Sequence, residues 1–189
     1  MDELLLIEKL KQGDETAFRQ IVESWQNMVY NTAIGILQNA EDAEDVAQEV
    51  FVQVFESVRS FKAEAKFSTW LYRITVSKAL DHLRKKKRKK RFAYIQSIFG
   101  ANNETVIDKP DFNHPGVTLD NKERATMLFN AISRLPENQK IAFTLHKLEG
   151  LSYQEISNIM KTSVSSVESL MHRAKNNLKR LLTGDYERQ

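Results

Sequence analysis

Leu151-Ser-Tyr-Gln-Glu-Ile-Ser-Asn-Ile-Met160, then Lys161-Thr-Ser163, then Val164-Ser-Ser-Val-Glu-Ser-Leu-Met-His-Arg-Ala-Lys175 is the stretch on which the fold turns. Ser152 stands three residues before Glu155, the spacing of a capping box, which fixes the start of a first short helix. After a three-residue turn, Val164, Val167, Met171, Ala174, Leu178 and Leu181 recur at steps of three and four, the apolar stripe of a second helix. Two amphipathic helices around a tight turn are the sequence form of a helix-turn-helix. If the stripe faces a core, Ser165, Ser166, Glu168, Ser169, His172, Arg173 and Lys175 point away from it. Small polar and basic side chains on that side suit the major groove of DNA. A helical hairpin that only packs carries the same stripe, so DNA binding rests on what the rest of the chain adds.

The 189 residues are enough for one domain or for two small helical ones, and 41% hydrophobic content supports a core. Long segments of helical period, with six glycines and three prolines to interrupt them, predict an all-α protein. Without a cysteine there is no disulfide framework, thiolate metal site or cysteine nucleophile. No N-terminal segment reads as a signal peptide and no apolar run is long enough to span a membrane, so a soluble, intracellular protein without membrane insertion is expected. The net charge of +3 hides a strong pattern. Residues 1–60 hold four basic and twelve acidic residues, and residues 61–91 hold twelve basic and two acidic ones. Residues 92–120 are mildly acidic, and the remainder has eleven basic residues against seven acidic. Two basic surfaces separated by acidic ones suggest two nucleic-acid contacts and a protein contact.

Four helices fill the first half. A short one carries Leu4, Leu5, Ile7 and Leu10 and stops at Gly13; Asp14 then caps a long one with Phe18, Ile21, Val22, Trp25, Met28, Val29, Ile36 and Leu37 on its apolar side. A third starts after Asn39 and is expected to bury Ala43, Val46, Ala47, Val50, Phe51, Val54, Phe55 and Val58. A fourth begins near Ser68 and runs into Lys85-Lys-Lys-Arg-Lys-Lys-Arg91. From about Phe92 to Asp120, glycine, asparagine and proline break the pattern, which reads as a flexible linker. Periodicity resumes at Glu123–Arg134, and Pro136 suits the first turn of a helix through Leu148. The expected architecture is two small helical domains, 1–91 and 121–189, joined by a linker over 92–120, with the helix-turn-helix in the second.

Asp42, Glu44, Asp45, Gln48, Glu49, Gln53 and Glu56 circle the polar side of the third helix. Taken alone, that is a solvated face, with a protein-docking surface as the alternative. The segment Phe61-Lys-Ala-Glu-Ala-Lys-Phe67-Ser-Thr-Trp70-Leu-Tyr72-Arg73 interleaves aromatic and basic side chains, as do proteins that stack unpaired bases and follow their phosphates. Phe67 and Leu71 fit a core at helical spacing, whereas Trp70 and Tyr72 are open to either role. The lysine and arginine run after Leu83 is dense enough to contact phosphates, with a disordered tether as the plainer alternative. His82, His114, His146 and His172 form no metal-ligand spacing, and no phosphate-cradling glycine loop or nucleophile motif is present. Neither an enzyme nor a cofactor or metal site is expected.

Taken together, Asp42-Ala-Glu-Asp-Val-Ala-Gln-Glu-Val-Phe51 and Phe67-Ser-Thr-Trp-Leu-Tyr-Arg-Ile74 ahead of the basic run resemble the second region of bacterial sigma factors. Leu135-Pro136, Gly150-Leu-Ser-Tyr-Gln-Glu-Ile156 and Val167-Glu-Ser-Leu-Met-His-Arg-Ala174 resemble their fourth region. With no third domain between them, the chain resembles an extracytoplasmic-function sigma factor of the sigma-70 family. That resemblance implies a bacterial, cytoplasmic transcription initiation factor that binds core RNA polymerase. It assigns Asp42, Asp45, Gln48, Glu49 and Gln53 to docking on the clamp helices of the polymerase. Phe61, Lys62, Lys66, Phe67, Trp70, Tyr72, Arg73, Ser77 and Arg84 would open the −10 promoter element and hold the non-template strand. Ser165, Ser166, Glu168, Ser169, His172, Arg173 and Lys175 would read the −35 element of duplex DNA. An anti-sigma factor, able to hold the protein near a membrane, is a further partner the family allows. Three departures bear on promoter choice: Ser77 stands where the family often has asparagine, Glu168 and Leu170 replace residues that are commonly basic, and Lys161 replaces the usual turn glycine. A helix-turn-helix regulator acting without polymerase is the competing reading, but it leaves Phe67–Arg91 and the acidic helix unexplained.

Overall fold

The computed structural model describes residues 3–98 and 119–186, with side chains described for 3–92 and 126–183. Among these there are eight α-helices and no strand. Helix α1 spans Glu3–Lys11, α2 Glu15–Leu37, α3 Ala40–Ser57 and α4 Phe67–Ile98, with a 3₁₀ turn at Val58–Ser60. The second half contains α5 (Leu119–Ser133), α6 (Glu137–Lys147), α7 (Tyr153–Met160) and α8 (Val164–Tyr186).

Local chemistry sets the boundaries. Thr16 N and Ala17 N donate to Asp14 Oδ1, and Asp42 N donates to Asn39 Oδ1, so the first turns of α2 and α3 are each capped by a side chain. Gln38 takes the left-handed conformation at φ 58° between them, and its backbone N–H and side-chain amide close the last carbonyls of α2. Ser152 and Glu155 form the expected capping box at the start of α7.

Helices α2, α3 and α4 pack on one another around Ile21, Val29, Val46, Val50, Val54, Phe67 and Leu71. Helices α6, α7 and α8 pack around Ile141, Leu145, Ile156, Val167 and Met171, with α5 lying on α8. Two boundaries differ from the sequence expectation. Helix α4 continues through Ile98, because Phe92–Ser97 contains no breaker before Gly100, and α5 begins at Leu119 rather than Glu123. The rest of the segment read as a linker, 99–118, lies outside the described residues, as does His114. Phe55 also differs: expected in the core, it is 46% exposed, and its ring meets Phe18 edge-on at 5.2 Å.

The two halves touch. Helix α2 packs on α6 and α4 on α7, and residues of both halves share one apolar cluster. Gly35 makes this approach possible: a Cβ there would collide with the Thr144 side chain and lie 2.8 Å from Leu148 Cδ1. Thr144 Oγ1 donates instead to Gly35 O at 3.1 Å.

Candidate nucleic-acid interface

On α3, Asp45, Gln48 and Glu49 are exposed, opposite the buried Ala43, Val46, Val50 and Val54. Seven residues after Asp45 on the same face stands Val52, 56% exposed, with Phe55 beside it. An apolar centre rimmed by carboxylates has the composition of a protein-docking patch. The sequence reading missed both residues, although an apolar side chain at Asp45 plus seven was the available signal. The candidates on this helix are not equally free. Asp42 turns toward α4, where His82 Nε2 lies 2.9 Å from Oδ1 and Lys86 Nζ 2.6 Å from Oδ2. Glu49 lies 3.7 Å from Lys78 Nζ, and Gln53 is half-buried at the edge of the cleft between the halves.

The aromatic segment resolves into buried and exposed parts. Phe61 and Phe67 are buried and pack edge to face at 5.6 Å; Trp70 lies 5.2 Å from Phe61 and 5.5 Å from Phe67, and Trp25 closes the group. Phe61 and Phe67 therefore shape the loop 62–66, which turns at Ala63 with φ 57° and exposes Lys62 and Lys66. Trp70 is half-buried, whereas Ser77 and Arg84 are exposed, Arg84 beside Asp81 at 3.1 Å.

Tyr72 and Arg73 are committed to the other half. Tyr72 Oη donates to Glu149 Oε2 at 2.9 Å, and burial together with the neighbouring carboxylate pushes the phenol pKa up. Burial also raises the Glu149 pKa, with the Tyr72 hydrogen bond opposing the shift. Arg73 donates from Nε and Nη2 to Asn158 O at 3.2 and 2.8 Å, placing its charge at the C-terminal end of α7. Trp70, Arg73, Ser77 and Arg84 line a cleft of about 720 Å³ whose far wall is Ile159, Met160 and Lys161 of the helix-turn-helix.

In that motif the turn Lys161–Ser163 joins α7 to α8, and Lys161 adopts φ 52° where a glycine would be unstrained. Ser163, which the sequence reading did not single out, caps α8 by accepting from Ser166 N at 3.1 Å. Val167, Met171, Ala174 and Leu178 are buried, as the stripe predicts. Ser165, Glu168, Ser169, His172, Arg173 and Lys175 are exposed along one side, and Ser166 is half-buried by the cap. Among the described residues no cluster of histidine and carboxylate side chains suits a metal ion.

Residues 21–89 match the family described as Sigma-70 region 2, and residues 126–178 match Sigma-70, region 4. The ECF RNA polymerase sigma-E factor of Haemophilus influenzae is 35% identical over 170 residues, covering 90% of this chain and 89% of that protein. The chain belongs to the ECF sigma factors. The sigma-E factor of Escherichia coli K12 is 32% identical over 171 residues with the same coverage. Two solved structures share the fold. CnrH, in complex with the cytosolic domain of CnrY, superposes with TM-score 0.68 at 21% identity, covering 96% of this chain and 97% of that one. Bartonella quintana RpoE, in complex with the anti-sigma factor NepR, gives 0.67 at 23% identity, covering 88% and 96%. This sigma factor is a promoter-recognition factor for transcription initiation. No helix among its described residues is long and apolar enough to cross a membrane.

Proposed function

We propose that this sigma factor docks on core RNA polymerase through the exposed face of α3 and contacts promoter DNA at two places. The carrying observation is the patch of Asp45, Gln48, Glu49, Val52 and Phe55, an apolar centre in an acidic rim that is exposed among the described residues. The two domains expected over 1–91 and 121–189 extend on this reading to the end of α4 at Ile98 and the start of α5 at Leu119, around a connecting segment. Lys62, Lys66, Trp70, Ser77 and Arg84 then face the −10 element, with Lys and Arg following phosphates and Trp70 available to an unpaired base of the non-template strand. Phe61 and Phe67 act through the loop they support. Ser165, Glu168, Ser169, His172, Arg173 and Lys175 read the −35 element in the major groove.

Tyr72 and Arg73 join the −10 surface when their contacts with Glu149 and Asn158 break, so promoter engagement on this reading separates the halves. The protein works in the cytoplasm as a non-enzymatic factor, and a regulator like the anti-sigma factor bound to RpoE is a further partner. Run-off transcription with purified core polymerase tests the reading. Charge reversal at Asp45 and Glu49 should lower core affinity with the fold intact, and unchanged affinity would remove α3 from the interface.

A further inference from the structure

A second cavity, about 400 Å³, lies where the end of α2, the basic stretch of α4 and the start of α6 meet. Lys86, Lys87 and Lys90 of the first half line it with Lys140 of the second, against the carboxylates of Asp42 and Glu137. Among the described lining residues, four ammonium groups face two carboxylates. The carboxylates are already used: Asp42 Oδ2 is 2.6 Å from Lys86 Nζ, and Glu137 Oε1 is 2.6 Å from Lys87 Nζ. Lys140 is only 7% exposed, and although its backbone N–H donates to Pro136 O at 3.0 Å, its ammonium has no hydrogen bond or ion pair to a described residue. Its burial and the nearby Lys87 both lower its pKa, with Glu137 opposing them. The lysine stem is buried while Nζ keeps access to the cavity, where a bound anion would supply the acceptor that the surrounding side chains do not. The first turn of α6 borders the same cavity, and Pro136 gives it no side-chain cap, so its leading N–H groups add positive potential there.

We propose that this cavity binds a small phosphate-bearing anion, with Lys90 and Lys140 as its principal contacts and Lys86 and Lys87 adding field. Because these lysines come from both halves, the bound anion holds the halves together. A free polyphosphate and a phosphodiester of DNA offer the same oxygens, and the near-complete burial of Lys140 favours the smaller, free anion.

Isothermal titration calorimetry on the full chain, with pyrophosphate as the probe, tests this. Saturable binding at one site is expected, weakened roughly tenfold or more in Lys140→Met and in Lys90→Ala, the scale of one lost charge-assisted contact. Lys147→Met, on an exposed position of α6 outside the cavity, should bind as the parent does. Lys90 is exposed, so its variant keeps the test decisive if Lys140→Met fails to fold. Equal pyrophosphate affinity in the parent and Lys90→Ala, or non-saturating uptake, would overturn the site. So would binding of a single-stranded oligonucleotide through these lysines with none of pyrophosphate.

Discussion

Tyr72 Oη donates to Glu149 Oε2 at 2.9 Å, a bond that spans 77 positions of sequence and ties α4 to the residues that follow α6. The contact leaves Tyr72 buried and Glu149 half-buried, and both pKa values are raised in the closed arrangement. For Glu149 the raised value means that closure takes up a proton. Its stabilisation is fully present below the ordinary carboxyl value of 4.5 and is lost as pH rises through the raised one. Tyr72 adds a second window, since closure should weaken once pH passes the ordinary phenol value of 10.0. The chain has no cysteine, so an introduced pair, one in each half, can carry donor and acceptor dyes. Energy transfer should rise from pH 7 toward pH 5, and Glu149→Gln should be closed and pH-independent over that range. A parent protein with flat transfer across it would show that Glu149 does not report on closure.

Gly35→Ala should loosen the same junction from the α2 side. The added methyl meets Thr144 of α6 and Leu148 at its C-terminal end, and overpacking of this kind costs about 1–3 kcal/mol. Lower energy transfer, or a lower denaturation midpoint with an unchanged helical spectrum, is the expected result. An unaltered variant would mean that α6 does not rest on Gly35 in solution.

Val52 and Asp42 should behave in opposite ways, although both lie on α3. Val52 touches little of its own protein, so Val52→Asn should leave the melting temperature alone and weaken core polymerase binding by roughly tenfold, the loss of one apolar anchor. Asp42 holds His82 and Lys86, and Asp42→Asn should destabilise the isolated protein by about 1–3 kcal/mol. Thermal melts and core-binding titrations on both variants decide the assignment. A Val52→Asn protein with full core affinity would place the docking face elsewhere.

Periodicity carried most of the helical reading. Val167, Met171, Ala174 and Leu178 lie where their spacing put them, and the capping box at Ser152 marks the start of α7. What stayed hidden was every contact between distant segments. Nothing local in Gly35 says that a threonine more than a hundred residues away will seat on it, and Tyr72 carries no sign of its carboxylate partner. Phe55 fitted the apolar stripe by spacing but lies at its margin, where no described helix fully covers it. The buried Lys140 was equally illegible, because a lysine in the first turns of a helix normally reaches solvent.

Lys161 offers a simpler test. Its φ of 52° puts a side-chain-bearing residue in the left-handed region, at a cost of about 1–2 kcal/mol that glycine avoids. Lys161→Gly should therefore raise the stability of the helix-turn-helix by up to about 1 kcal/mol, after the added freedom of the unfolded chain is offset. Urea denaturation of the full chain should show the gain, and a loss would mean that the lysine side chain contributes to packing or charge at the turn.

Glu168 sets the last test, because its carboxylate is exposed on α8 one turn past the Ser163 cap. Since Ser163 already accepts from the first turn, Glu168 is not needed as a cap. Its side chain makes no hydrogen bond or ion pair with another described residue. Two interactions with DNA remain open to it. A carboxylate repels phosphates, but it can accept from the amino group of a cytosine in the major groove. His172, Arg173 and Lys175, exposed on the following turns, are then the residues that engage the backbone. If Glu168 reads a base, Glu168→Gln should relax preference at one position of the −35 element by about 1–3 kcal/mol, with other positions unchanged. If it only repels, Glu168→Lys should strengthen binding to every sequence alike and steepen its salt dependence by about one phosphate contact. Selection of duplex sites from a randomised library, repeated at two salt concentrations with both variants, separates these outcomes. Identical preferences and salt slopes in parent and variants would place Glu168 off the DNA and leave recognition to Ser165, Ser169 and the basic residues beyond them.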